Sequence, residues 1–182
     1  MIYAFNISYW LTLALAIPTA GFMVRVFIIF HDCGHGSFFK SQKANHILGT
    51  ISGILTFTPY FKWRYDHAVH HGTSGDLDSR GVGDVWTMTV EEYKVASWWQ
   101  RLAYRVYRHP LVMIIIGPLF MFLLVHRFAG KSTGKERWSV YGTNAALAVI
   151  IAGISLLIGF KTFLLIQLPV QMIAGSAGVW LF

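Results

Sequence analysis

Four stretches of this chain are too long and too apolar for the surface of a soluble domain, and they constrain the fold more than any other feature. A membrane-crossing helix needs about 20 apolar residues, because the hydrocarbon core is about 30 Å thick and each residue adds about 1.5 Å. Residues 7–30 meet that length, with Pro18 and Gly21 near the middle and Arg25 as the one charged side chain. Either a kinked helix or a turn between two spans fits Pro18. Residues 46–61 are rich in Gly and Thr and short for a full crossing, and residues 110–125 are interrupted by Gly117-Pro118. Residues 142–182 suffice for two spans, 142–160 and 162–182, with Gly159-Phe160-Lys161 as the turn. Composition agrees: charged residues are 13% of the chain, against about 25% in an average protein. The single cysteine, Cys33, excludes a disulfide scaffold, and the aromatic content excludes disorder. The expectation is an all-α integral membrane protein.

The formal charge of +7 does not indicate nucleic acid, because the basic residues flank apolar runs and form no soluble basic face. It reads as a topology signal. Of 15 Lys and Arg, 13 fall within residues 40–43, 62–108 and 127–137; Arg25 and Lys161 are the exceptions. Cytoplasmic loops carry excess Lys and Arg, which predicts that these three segments face the cytoplasm. The apolar stretches 46–61 and 110–125 then begin and end on one side, as re-entrant or interfacial segments do where protein covers the broken backbone. Residues 62–109 become a cytoplasmic helical cap. Within it, 89–109 read as one amphipathic helix with capping-box spacing between Thr89 and Glu92. Val95, Trp98, Trp99, Leu102 and Val106 give an apolar face, and Arg101, Arg105 and Arg108 a basic one. Such a helix suits either the headgroup layer or packing on the cap itself.

Eight histidines are present, and five form two tight groups: His31 and His35 as H-x-x-x-H, and His67, His70 and His71 as H-x-x-H-H. On a helix, residues three or four apart share a face, so each group can aim imidazoles at one metal region. The adjacent pair His70-His71 diverges by about 100°, which suits two metals better than one. Several buried imidazoles without partners would cost kcal/mol apiece, and a metal with orienting carboxylates removes that cost. Asp32, Asp66 and Asp84 are candidates for orienting the rings. Ligand type alone leaves Zn, Cu, Fe and Ni open. His46, His109 and His126 read as interfacial or capping residues, and Cys33 as a small packing residue turned away from His31 and His35.

The strings His31-Asp32-Cys33-Gly34-His35-Gly36-Ser37-Phe38-Phe39, 63–71 and Arg80-Gly81-Val82-Gly83-Asp84-Val85-Trp86 resemble the first two histidine boxes, with their flanks, of membrane-bound fatty acid desaturases. The resemblance is to the acyl-lipid, omega-6/delta-12-like branch and runs along the whole chain. It implies metal ligation by His31, His35, His67, His70 and His71 at a two-iron centre on the cytoplasmic side. It also implies O2 as co-substrate, a membrane lipid or acyl chain as substrate, and electrons from a partner such as ferredoxin or cytochrome b5. A bacterial inner membrane is the expected location. Family members carry a third H-x-x-H-H box, which these 182 residues lack, so the expectation is an incomplete desaturase domain, an N-terminal and central fragment. Alternatives are a related di-iron hydroxylase or carotenoid oxygenase, and, from another class, a histidine-lined metal transporter. Transport predicts ionisable ligands near the bilayer midplane, whereas both histidine groups sit at segment ends.

Overall fold

In the computed structural model, residues 1–81 and 85–181 are described, and among them every regular element is helical. The elements are α1 (Ile2–Ile7), α2 (Tyr9–His35), α3 (Gln42–Leu55), α4 (Tyr60–Thr73), α5 (Val90–Val95), α6 (Trp98–Tyr107), a π-helical turn (Val112–Ile116), α7 (Gly117–Leu123), a 3-10 turn (Val125–Arg127), α8 (Gly134–Ile158) and α9 (Phe160–Leu181). Three helices, α2, α8 and α9, are long and apolar enough to cross a membrane, and the chain is an integral membrane protein.

Helix α2 is the axis of the molecule. It runs unbroken through Pro18, and the chain instead turns at Ser8, where the backbone is extended. Its far end stops in a Schellman motif, with Gly36 left-handed at φ 71°, Gly36 N–H on Cys33 O and Ser37 N–H on Asp32 O, both at 3.0 Å. The motif ends the helix at His35. Helix α9 packs parallel to α2. Tyr9 meets Leu165 at one end, and Ala16, Ala20, Val170 and Ala174 form a small-residue seam further along. Between them in sequence, α8 runs the other way. Gly159, at φ 83°, reverses the chain from α8 into α9.

Lipid supplies no water to backbone groups that lose their helical partners, so a carbonyl freed by a proline gains from a substitute donor, and those freed by Pro169 and Pro118 have a side-chain one. Pro169 removes the N–H that would bond Leu165 O, and Tyr9 Oη donates to that carbonyl at 3.2 Å. Pro118 likewise frees Ile114 O, and Ser176 Oγ donates to it at 2.6 Å. The π-helical turn lies directly before Gly117-Pro118, which widens rather than breaks the helix there. Gly175 lets α9 close on this region, since a Cβ would stand 2.7 Å from Pro118 Cβ.

Two elements differ from the sequence reading. The apolar run 46–61 divides between α3 and α4, at a turn where Phe57 holds φ 60°. Thr58 N–H on Gly53 O at 2.7 Å and the Arg127 guanidinium on Phe57 O hold that conformation without a glycine. At about 1.5 Å per residue, the 14 residues of α3 are too short to cross. The expected single helix 89–109 is two helices. Ser97 starts a second capping box with Gln100, so the chain breaks at Ala96, ψ 146°, and restarts as α6.

Candidate metal centre

The C-terminal ends of α2 and α4 meet, and each brings one histidine group. The join is aromatic and tight. Tyr60, fully buried at the start of α4, donates from Oη to Cys33 O at 2.7 Å. Arg64 Nε donates to Gly34 O at 2.9 Å. Trp63 lies against Phe27, Phe30 and His31 and stacks on His67, with ring centroids 4.3 Å apart and planes 17° from parallel. Glycines permit this approach: a Cβ on Gly34 would stand 2.7 Å from Trp63, and one on Gly49 2.1 Å from Tyr60.

Three imidazoles converge on His67. His31, His35 and His71 Nε2 lie 3.2, 3.1 and 3.1 Å from His67 Nε2, and His31 and His35 Nε2 are 3.3 Å apart. The tightest group with metal-ligand spacing is His31, His35 and His67. Nitrogens held about 2.0–2.1 Å from one ion are spaced about 3.0–3.4 Å from each other, so the donor set fits a metal. Electrostatics point the same way. His35, His70 and His71 sit in the last turns of their helices, where the macrodipole is negative and favours a cation. Burial, with the neighbouring imidazoles, holds His67 down to about 4, so its ring is neutral at pH 7 and a lone pair is available to a ligand.

Asp32 Oδ1 lies 3.3 Å from His31 Nδ1, which fixes the tautomer that leaves Nε2 free to ligate. Asp66 instead accepts from Lys62 Nζ at 2.6 Å, one turn back on α4. Asp84 lies outside the described residues. His70 stands to one side, with its ring 6.1 Å from that of His67 and 5.7 Å from that of His71, as adjacent helical positions must diverge. His46 Nδ1 lies 3.3 Å from Tyr60 Oη, His109 Nδ1 accepts from Leu111 N–H, and His126 packs on Phe122. Cys33 is buried in the aromatic cluster between α2 and α4. Sequence reasoning missed Trp63, Tyr60 and Arg64, which bind α4 to α2. The helical spacing of Tyr60, Trp63 and Arg64 ahead of His67 was the available signal.

The sequence profile described as fatty acid desaturase matches residues 8–182. A protein named fatty acid desaturase from Bacillus subtilis (strain 168) is 52% identical over 178 residues, covering 97% of this chain and 51% of that protein. An sn-1 acyl-lipid omega-3 desaturase (ferredoxin) of Synechocystis is 33% identical over 53% of this chain and 25% of its own length. A Delta(12) fatty acid dehydrogenase of Crepis alpina is 29% identical over 78% of this chain and 41% of its own. The chain spans about half the length of the Bacillus relative and less of the others. No solved structure matches it. With the profile covering nearly every residue and both histidine groups meeting between α2 and α4, the chain belongs to the fatty acid desaturase family.

Proposed function

We propose that the histidine cluster serves the O2-dependent introduction of a double bond into an acyl chain, with His31, His35, His67, His70 and His71 as ligands to a two-iron centre. The convergence of imidazole nitrogens on His67 at 3.1–3.2 Å carries the reading. Bound iron supplies the redox chemistry by which O2, two electrons and two protons take one hydrogen from each of two adjacent methylenes and leave two waters. The chain's own residues do the holding. His31, His35, His67 and His71 present Nε2 toward a common region, Asp32 sets the His31 tautomer, and Trp63 fixes the plane of the His67 ring. The divergence of His70 from His71 supports a second metal position.

The substrate reaches this site from the surrounding lipid, and electrons come from a carrier such as ferredoxin or cytochrome b5. The Lys- and Arg-rich segments beside the cluster support a cytoplasmic placement, in a bacterial inner membrane, and suit an acidic carrier. The test has two readouts. In lipid nanodiscs, the chain retains iron after desalting and His67→Ala does not. Grafted in place of the matching half of the Bacillus relative, these residues yield new double bonds in the host's fatty acids. Iron retention unchanged by His67→Ala, or a membrane-inserted graft that gives hydroxylated and no unsaturated product, refutes the proposal.

A further inference from the structure

Helix α6 has one face that the protein covers and one that it leaves open. On the covered face, Tyr107 Oη accepts from Trp86 N–H at 3.1 Å and Tyr104 Oη from Met88 N–H at 3.3 Å, so the segment before α5 is laid along it. The Trp86 ring packs edge-on against Tyr104. The opposite face holds Trp98, Trp99, Leu102 and Val106, which span about 100° of the helical wheel. Trp98 is 59% exposed, Trp99 71% and Val106 54%. A ten-residue helix that presents two tryptophans to the outside has an unmatched apolar surface.

Charge and position indicate what meets that surface. Arg101, Arg105 and Arg108 line one edge of the apolar face. Arg105 is engaged with Tyr93 Oη at 2.6 Å, while Arg101 and Arg108 form no ion pair among the described residues. Beyond a four-residue gap after α6, the apolar segment Val112–Arg127 begins, turned 59° away from it. That segment packs on the C-terminal part of α9, through Ile114 on Ser176, at the same end of the bundle as the C-terminus of α2. Val112–Arg127 begins against Ser176 near the end of α9 and finishes beside Lys62, Tyr65 and Asp66 of α4, so α6 lies at that same end of the bundle, where the spans leave the bilayer. Tryptophan at the base and arginine at the flank suit the depth profile of that layer.

We propose that α6 is a lipid-docking helix: its Trp98, Trp99, Leu102 and Val106 face seats in the headgroup layer of an acidic bilayer, with Arg101 and Arg108 on lipid phosphates. The inference is independent of the metal centre. Cys33 is fully buried, so a thiol introduced elsewhere is the one that reacts with a nitroxide label. The chain carrying Trp99→Cys, and separately Glu91→Cys on α5, is reconstituted in nanodiscs of phosphatidylcholine, with and without phosphatidylglycerol. Relaxation by dissolved O2 is compared with relaxation by a water-soluble nickel chelate. The proposal expects an oxygen-to-nickel ratio several-fold higher at 99 than at 91. The ratio at 99 rises with phosphatidylglycerol, and that rise is lost with Arg101→Gln plus Arg108→Gln. Equal ratios at 99 and 91 overturn it, as does immersion indifferent to lipid charge. A label immobilised and shielded from both relaxants overturns it too, by showing a polypeptide on that face.

Discussion

Gly34→Ala tests whether the packing between α2 and α4 sets the geometry of the histidine cluster. The new methyl would stand 2.7 Å from Trp63 Cζ3, and carbon atoms in ordinary contact keep about 3.5–4.0 Å, so the indole must retreat by about 1 Å. Four rings stand in the way of that retreat. Phe30 lies 4.6 Å from it and His67 4.3 Å, between ring centroids, with Phe27 and His31 at 5.8 Å. The displacement therefore passes to α4 and to the His67 ring. Nitrogen separations of 3.1–3.3 Å then open toward about 4 Å, beyond what one ion at about 2.1 Å can span. Changes to the groups that orient metal ligands weaken binding by about 10- to 100-fold, and overpacking of this kind costs about 1–3 kcal/mol. Cobalt(II) titration in nanodiscs, read by absorbance, and thermal unfolding by circular dichroism measure the two effects. Gly21→Ala is the control on the same helix, since nothing lies within 4 Å of its added methyl. If Gly34→Ala binds cobalt as tightly as the unmodified chain and unfolds at the same temperature, the reasoning fails.

The other predictions concern the membrane and the cap. Ser176→Ala leaves the proline-freed carbonyl of Ile114 without its donor and destabilises the bundle by roughly 1 kcal/mol. Adding Pro118→Ala, which supplies the missing N–H, recovers that loss in a double-mutant unfolding cycle. The Arg80 guanidinium, at 2.5 Å, and the Thr89 N–H hold the Glu92 carboxyl down to about 2. A depressed carboxylate contributes its stabilisation above its ordinary value of about 4.3 and loses it as pH falls toward 2. Amide protection over residues 89–97, taken relative to the intrinsic exchange rate at each pH, should therefore fall across that window, and Glu92→Gln should flatten the response.

The spans and the pairing of the two histidine groups were legible because both follow from periodicity. Apolar length marks a crossing, and spacings of three and four put imidazoles on one side of a helix. The rest depended on contacts between distant residues. The turn between α3 and α4 lies inside an apolar run and uses Phe57, where a glycine would have marked it; Arg127, seventy residues on, holds it in place. The break at Ala96 was written locally, as a serine three residues ahead of Gln100, but an apolar face continuous with Trp98 and Trp99 obscured it. Asp66 had the right type and neighbourhood to orient a histidine, yet Lys62 sits one turn away and takes it. The role of Trp63 needs α2 and α4 already in place, so no pattern within α4 alone discloses it.

Two of the three prolines in the apolar helices, Pro118 and Pro169, have a consequence for assembly. In hydrocarbon, every side of a leucine-rich helix is equally at home, so oil and water do not sort one helix face from another. A carbonyl stripped of its partner behaves like a keyhole, and each of the two accepts one side chain: Leu165 O takes Tyr9, and Ile114 O takes Ser176. Both keys turn on α9, which offers the lock in one case and the key in the other. They lie 11 residues apart, about 16 Å along its axis. A slip of α9 by one turn would lose both together. Its docking is therefore closer to a latch than to a sliding fit.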